Sequence, residues 1–213
     1  GFGRVDLYQA EDGTQIVLKT PARNEQLTLA QQLESARSEV RAHRAAQDDG
    51  AGNIHPLVIG YRGAMRGPDG LVRIAIDYAP GGNLNRMTER IDEAQKNGDI
   101  SPQAAMTARI TLLRDIVEGM RHVQEARGML HLDLKPINFF IGADGRAKVG
   151  YFGTSHVGDS LSMERGLVDN PRWQAPEIIT GLKTGAKLTV DGQSDIWALG
   201  ITAYQLFHEG ALL

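Results

Sequence analysis

One octapeptide in the 213 residues combines side chains that can act on phosphate: His131-Leu132-Asp133-Leu134-Lys135-Pro136-Ile137-Asn138. An acid, a cation and an amide follow one another on a short loop pinned by proline. In phosphoryl transfer the carboxylate orients an attacking hydroxyl, the lysine neutralises phosphate charge and the amide oxygen holds a metal ion. The same residues also suit a plain polar loop, so the rest of the chain decides.

The elements that must position this loop can be read on either side of it. Arg4 to Ala10 and Gln15 to Lys19 read as strands around Glu11-Asp12-Gly13-Thr14, because Asp-Gly between strand-like runs signals a hairpin. A helix is expected from Leu27 to Gln47, rich in Ala, Gln, Glu and Arg. Strands are expected at Leu57 to Arg62 and Leu71 to Tyr78, joined by a turn containing Pro68-Asp69-Gly70. Ala79-Pro80-Gly81-Gly82-Asn83 then breaks all periodicity and marks a linker between a small β-rich lobe and a helical one. Ser101 caps and Pro102 opens a long helix whose Met106, Ile110, Leu113, Val117 and Met120 recur at three-four spacing, a pattern that predicts a core-facing stripe. A hairpin around Ala143-Asp144-Gly145 and an apolar helix from about Ser194 to His208 follow.

Composition narrows the partners. Net charge is −3 with acids and bases interspersed, and no basic stripe carries interleaved aromatics, which argues against a nucleic-acid partner. The absence of cysteine excludes disulfides, Cys-ligated zinc and thiol nucleophiles and is compatible with a reducing compartment, so the cytoplasm is the expected location. No apolar run approaches the length of a membrane span, and no signal-peptide pattern opens the chain.

Several further segments, in order, resemble the motif series of eukaryotic-type protein kinases of the Ser/Thr type. Gly1-Phe2-Gly3-Arg4-Val5 resembles the closing end of a glycine-rich phosphate loop, and Ile16-Val17-Leu18-Lys19 resembles the strand bearing the phosphate-binding lysine. Glu39, with Glu34 as rival, stands where a helix glutamate pairs with that lysine. His43, one turn later, occupies a position where the family packs an apolar residue. Val72 to Leu84 resembles the strand and hinge that dock adenine, with Ile76 guarding the back of the pocket and Asp77 to Ala79 presenting backbone groups. Pro171 to Glu177 resembles the segment that closes the activation loop, and Ser194-Asp195-Ile196-Trp197-Ala198-Leu199-Gly200 the buried helix whose aspartate anchors the catalytic loop. Lys135, two residues after the acid, is the Ser/Thr form.

The resemblance implies an α+β, bilobal kinase fold in one domain: a small β-rich lobe with one helix over 1–78, a hinge at 79–83 and a mainly helical lobe over 84–213. Both ends look cut short against the family, as in a fragment or a minimal version. It also implies ATP as the nucleotide, bound by Gly1, Gly3, Val5, Val17, Lys19, Glu39, Ile76, Asp77 and Ala79, with Asp133 and Lys135 catalytic and Asn138 on the metal. A protein substrate or regulated protein partner follows from the same likeness.

The pattern breaks at one chemically central place. Thirteen residues after Asn138 the family has Asp-Phe-Gly, and this chain reads Tyr151-Phe152-Gly153. A phenol is neutral at pH 7, with a reference pKa of about 10, and lacks the anionic oxygens that Mg²⁺ prefers. Leu132 replaces a common arginine that receives activation-loop phosphate, and Asn170 replaces a common threonine. Thr154, Ser155, Ser160 and Ser162 supply hydroxyls in the expected activation loop. The expectation is a pseudokinase-like domain with an ATP site, weakened Mg²⁺ use and impaired transfer. The alternative is an active Ser/Thr kinase with atypical metal use. Altered kinase motifs also occur in secreted pathogen effectors.

Overall fold

The structure, a computed structural model, describes residues 3–163, 171–184 and 188–208. Gly1 and Asn170 lie outside the described residues. A four-stranded antiparallel sheet forms the smaller lobe, in the order β1 (Arg4–Gln9), β2 (Gln15–Thr20), β4 (Val72–Asp77), β3 (Tyr61–Arg66). The Asp12-Gly13 turn joins β1 to β2: Thr14 N–H donates to Asp12 Oδ1 at 2.8 Å, and Gly13 takes the left-handed φ of 84° that favours glycine.

Helix α1 (Leu29–Gln47) packs on this sheet. It begins at a capping box in which Gln31 N–H donates to Thr28 Oγ1 and Thr28 N–H donates to Gln31 Oε1. Among its buried residues are Ala42, His43 and Ala46.

The expected strand from Leu57 begins instead at Tyr61. Leu57, Val58 and Ile59 are buried and turn towards the other lobe: Val149 N–H donates to Leu57 O at 2.8 Å, and Ile59 N–H to Val149 O at 2.9 Å. A run buried by tertiary contact is indistinguishable in sequence from one buried in a sheet.

The larger lobe is mainly helical, with α2 (Leu84–Lys96) and α3 (Pro102–Arg121) ahead of a π-helical turn at His122–Ala126. Strand β5 (Met129–Leu130) leads into the octapeptide, and β6 (Phe139–Ile141) pairs with β7 (Ala147–Val149) directly after it. Then come β8 (His156–Val157), β9 (Ser160–Met163), α4 (Pro176–Thr184), β10 (Leu188–Asp191) and α5 (Gly192–Phe207).

On α3 the predicted core stripe is partly right: Met120 is buried and Leu113 packs against the core, as expected. Met106, Ile110 and Val117 are exposed, whereas Ala105, Arg109, Leu112, Asp115, Ile116 and Met120 face inward. Two charges on the buried face misled the pattern. Arg109 is paired with Asp92, and Asp115 accepts from Arg146 at 2.7 Å, so both charges enter the core satisfied.

Candidate nucleotide site and catalytic loop

Between the lobes lies a cleft of about 370 Å³. Gly3, Val5 and Val17 line it from the sheet, Lys19 and Glu39 from the rear, and Ile76, Asp77 and Ala79 from the connection between lobes. Asn138 and Tyr151 line its floor. Most expected nucleotide residues therefore share one cavity, Gly1 lying outside the described residues.

Lys19 Nζ donates to Glu39 Oε1 at 2.6 Å. The rival, Glu34, instead pairs at the surface with Arg41 at 2.8 Å and Arg37 at 3.6 Å. Lys19 Nζ also stands 4.3 Å from the centroid of the Tyr151 ring. A cation at that distance from an aromatic face gains about 0.5–2 kcal/mol, depending on desolvation. Tyr151 has a φ of 64°, a left-handed conformation that an L-residue other than glycine adopts at a cost of about 1–2 kcal/mol. Gly150 precedes it because a Cβ there would come within 2.8 Å of the Phe140 ring and 3.0 Å of Ile59.

The octapeptide folds into a bonded unit. Lys135 Nζ donates to Asp133 Oδ1 at 2.8 Å, and Asn138 Nδ2 donates to Asp133 Oδ2 at 2.9 Å and to Asp133 O at 2.7 Å. With its nitrogen committed to Asp133, the Asn138 amide keeps its oxygen as the atom a metal could use in the cleft it lines. Asp195, 2% exposed, secures this loop from α5 by accepting from His131 N–H at 2.7 Å and Leu132 N–H at 2.8 Å. Leu132, with a φ of 67°, is held left-handed by that grip.

His131 ties the loop to the residue before Tyr151. Its Nε2 meets Gly150 O at 3.0 Å, and its Nδ1 accepts from Asp133 N–H at 3.3 Å, which fixes the Nε2–H tautomer. Burial holds its pKa below the usual histidine value. Thr154 and Ser155 hydroxyls both donate to His131 O at 3.2 Å, so these two are engaged in the fold.

Phe152, fully buried, links this unit to α1. Its ring centroid lies 5.4 Å from His131 and 4.9 Å from His43, edge-on to the latter at 74°. His43 is 2% exposed and its Nδ1 has no hydrogen-bond partner among the described residues. Burial first, then the charge of Lys19, brings its pKa down to about 3, so it is a neutral ring in the core.

Phe140 and Arg86 line the cleft without having been singled out from sequence. Phe140 was detectable: in β6 successive side chains alternate, Phe139 is 0% exposed in the core and Phe140 faces the other way. Arg86 carries no such signal.

Two kinds of likeness, to a family model and to individual proteins, accompany this geometry. The protein kinase domain model matches residues 1–212. The chain is 33% identical over 155 residues, 71% of its length, to mitogen-activated protein kinase kinase kinase 17 of Arabidopsis thaliana, covering 37% of that protein. It is 29% identical over 207 residues to serine/threonine-protein kinase Nek1 of Mus musculus, which is 96% of this chain and 15% of that protein. Serine/threonine-protein kinase ste20 of Emericella nidulans is 31% identical over 136 residues, 63% of this chain and 14% of that protein. The chain belongs to the protein kinase domain family, and it spans less than half the length of these relatives. Among the described residues no helix is long and apolar enough to cross a membrane.

Proposed function

We propose that this domain binds ATP in the interlobe cleft and transfers its phosphoryl group to a protein hydroxyl weakly or not at all. The observation that carries this is the Tyr151 ring 4.3 Å from Lys19 Nζ, on the cleft floor where the family's metal carboxylate belongs. Bound ATP supplies the transferable phosphoryl group. The cleft fits it: apolar Val5, Val17, Ile76 and Phe140 suit a purine ring, and Lys19 suits phosphate oxygens. The donor set fits Mg²⁺ poorly. Asn138 offers one amide oxygen, Tyr151 a phenol in place of a carboxylate, and among the described residues no group of three His, Asp or Glu side chains could hold a metal. Metal stabilisation is worth several kcal/mol in phosphoryl transfer. A loss of about 3–4 kcal/mol lowers the rate roughly 10² to 10³-fold.

The second reading, an active Ser/Thr-type kinase with atypical metal use, is favoured by the paired Lys19 and Glu39 and by the intact Asp133, Lys135 and Asn138 cluster. The relatives' names as serine/threonine-protein kinases support a protein hydroxyl as acceptor, or a protein partner where transfer is lost. The cytoplasm fits the cysteine-free composition.

A thermal-shift titration with ATP, with Mg²⁺ and with EDTA, tests the proposal. A concentration-dependent rise that is nearly the same in both conditions is expected. A large gain confined to Mg²⁺ would refute the weakened metal site, and no rise in either would refute nucleotide binding.

A further inference from the structure

The charged side chains lining the cleft are Lys19, Glu39, Asp77 and Arg86. Lys19 and Glu39 neutralise each other at 2.6 Å, and Asp77 is paired with Arg62. Arg86 is the one charged lining side chain with no opposite partner among the described residues; its backbone N–H, donating to Asn83 Oδ1 at 3.1 Å, is its only cap contact. Helix stability does not account for this charge. Arg86 stands in the first turn of α2, where the macrodipole disfavours a cation, and that turn contains no acid to offset it. Its stem lies across Gly82 in the connection between lobes: a Cβ on Gly82 would sit 3.4 Å from Arg86 Cδ and 3.7 Å from its Cβ.

We propose that Arg86 is a specificity residue that favours phosphate-bearing nucleotides over the bare nucleoside, and does so without a divalent metal. This rests on the assignment of the cleft as a nucleotide site. A guanidinium presents donors in a planar fork and pairs with phosphate oxygens bidentately. Arg86, exposed beside Gly82, lines the same cleft as Tyr151 and brings a cation to it without a divalent metal.

Calorimetric titration of adenosine, ADP and ATP into the wild-type chain, Arg86→Met and Arg86→Lys, each with EDTA and with Mg²⁺, tests this. Methionine keeps the stem and removes the charge; lysine keeps the charge. In Arg86→Met, ADP and ATP are expected to weaken about tenfold, with adenosine unchanged and the same loss in EDTA. Arg86→Lys is expected to retain most of the preference. An equal loss for adenosine, a loss seen only with Mg²⁺, or no loss would overturn the role of Arg86. Wild-type binding of adenosine and ATP sustains the nucleotide site whatever the variants do, and wild-type binding of neither overturns both.

Discussion

His43 meets Phe152 edge-on, with ring centroids 4.9 Å apart, and so joins α1 to the residue that follows Tyr151. The Nδ1 of His43 is buried without a partner, and Lys19 and His131 are the cationic or titratable groups whose fields act on it.

That arrangement predicts an acid-sensitive core. His43 has a folded pKa of about 3 against an ordinary 6.5, so the unfolded chain binds the extra proton between these values. Stability therefore rises with pH across that window and falls as pH drops, by about 2 kcal/mol from pH 7 to 5 for this residue. His131, His55 and His122 are shifted the same way, so the contribution of His43 is read by difference. Urea denaturation of His43→Leu is expected to show about 1 kcal/mol more stability at pH 7, from removal of the unpaired nitrogen, and a shallower pH dependence. A variant that is less stable at every pH would show that the imidazole is well accommodated.

Asp195 predicts a different kind of loss. Besides the two backbone donors of His131 and Leu132, it accepts from Gln124 Nε2 at 3.3 Å. Asparagine offers one acceptor oxygen and no charge, so Asp195→Asn is expected to lose about 2–4 kcal/mol and to speed amide exchange at His131 and Leu132. An unchanged denaturation midpoint with unchanged exchange at those two amides would remove Asp195 as the anchor.

The two glutamates of α1 separate cleanly. Glu39→Ala leaves Lys19 without its carboxylate and is expected to weaken ATP binding about tenfold. Glu34→Ala removes only exposed, solvent-screened pairs and is expected to bind ATP as the wild type does. Calorimetry on both variants checks this, and equal effects would contradict the assignment.

Much of this was legible in the sequence because the chemistry there is local. Asp133, Lys135 and Asn138 lie within six residues and find one another across a loop that proline pins. The spacing from Asn138 to Phe152 sets Tyr151 in the position that lines the cleft. What was left open or hidden depends on distant chain. Glu39 and Glu34 lie on one helix, and only its docking on the sheet brings Glu39 to Lys19. The core face of α3 was partly misread because Arg109 and Asp115 are buried with partners from α2 and the β6–β7 hairpin. Arg86 enters the cleft through the placement of α2 after the linker, which no periodicity encodes.

We infer that Tyr151 limits phosphoryl transfer while the rest of the site remains in place. Transfer of phosphate from ATP to a general protein substrate, with Mg²⁺, compares the wild-type chain with Tyr151→Asp and Asp133→Ala. Tyr151→Asp is expected to raise the rate about 10² to 10³-fold over a wild-type level near that of Asp133→Ala. Robust wild-type transfer, abolished by Asp133→Ala and not increased by Tyr151→Asp, would contradict it.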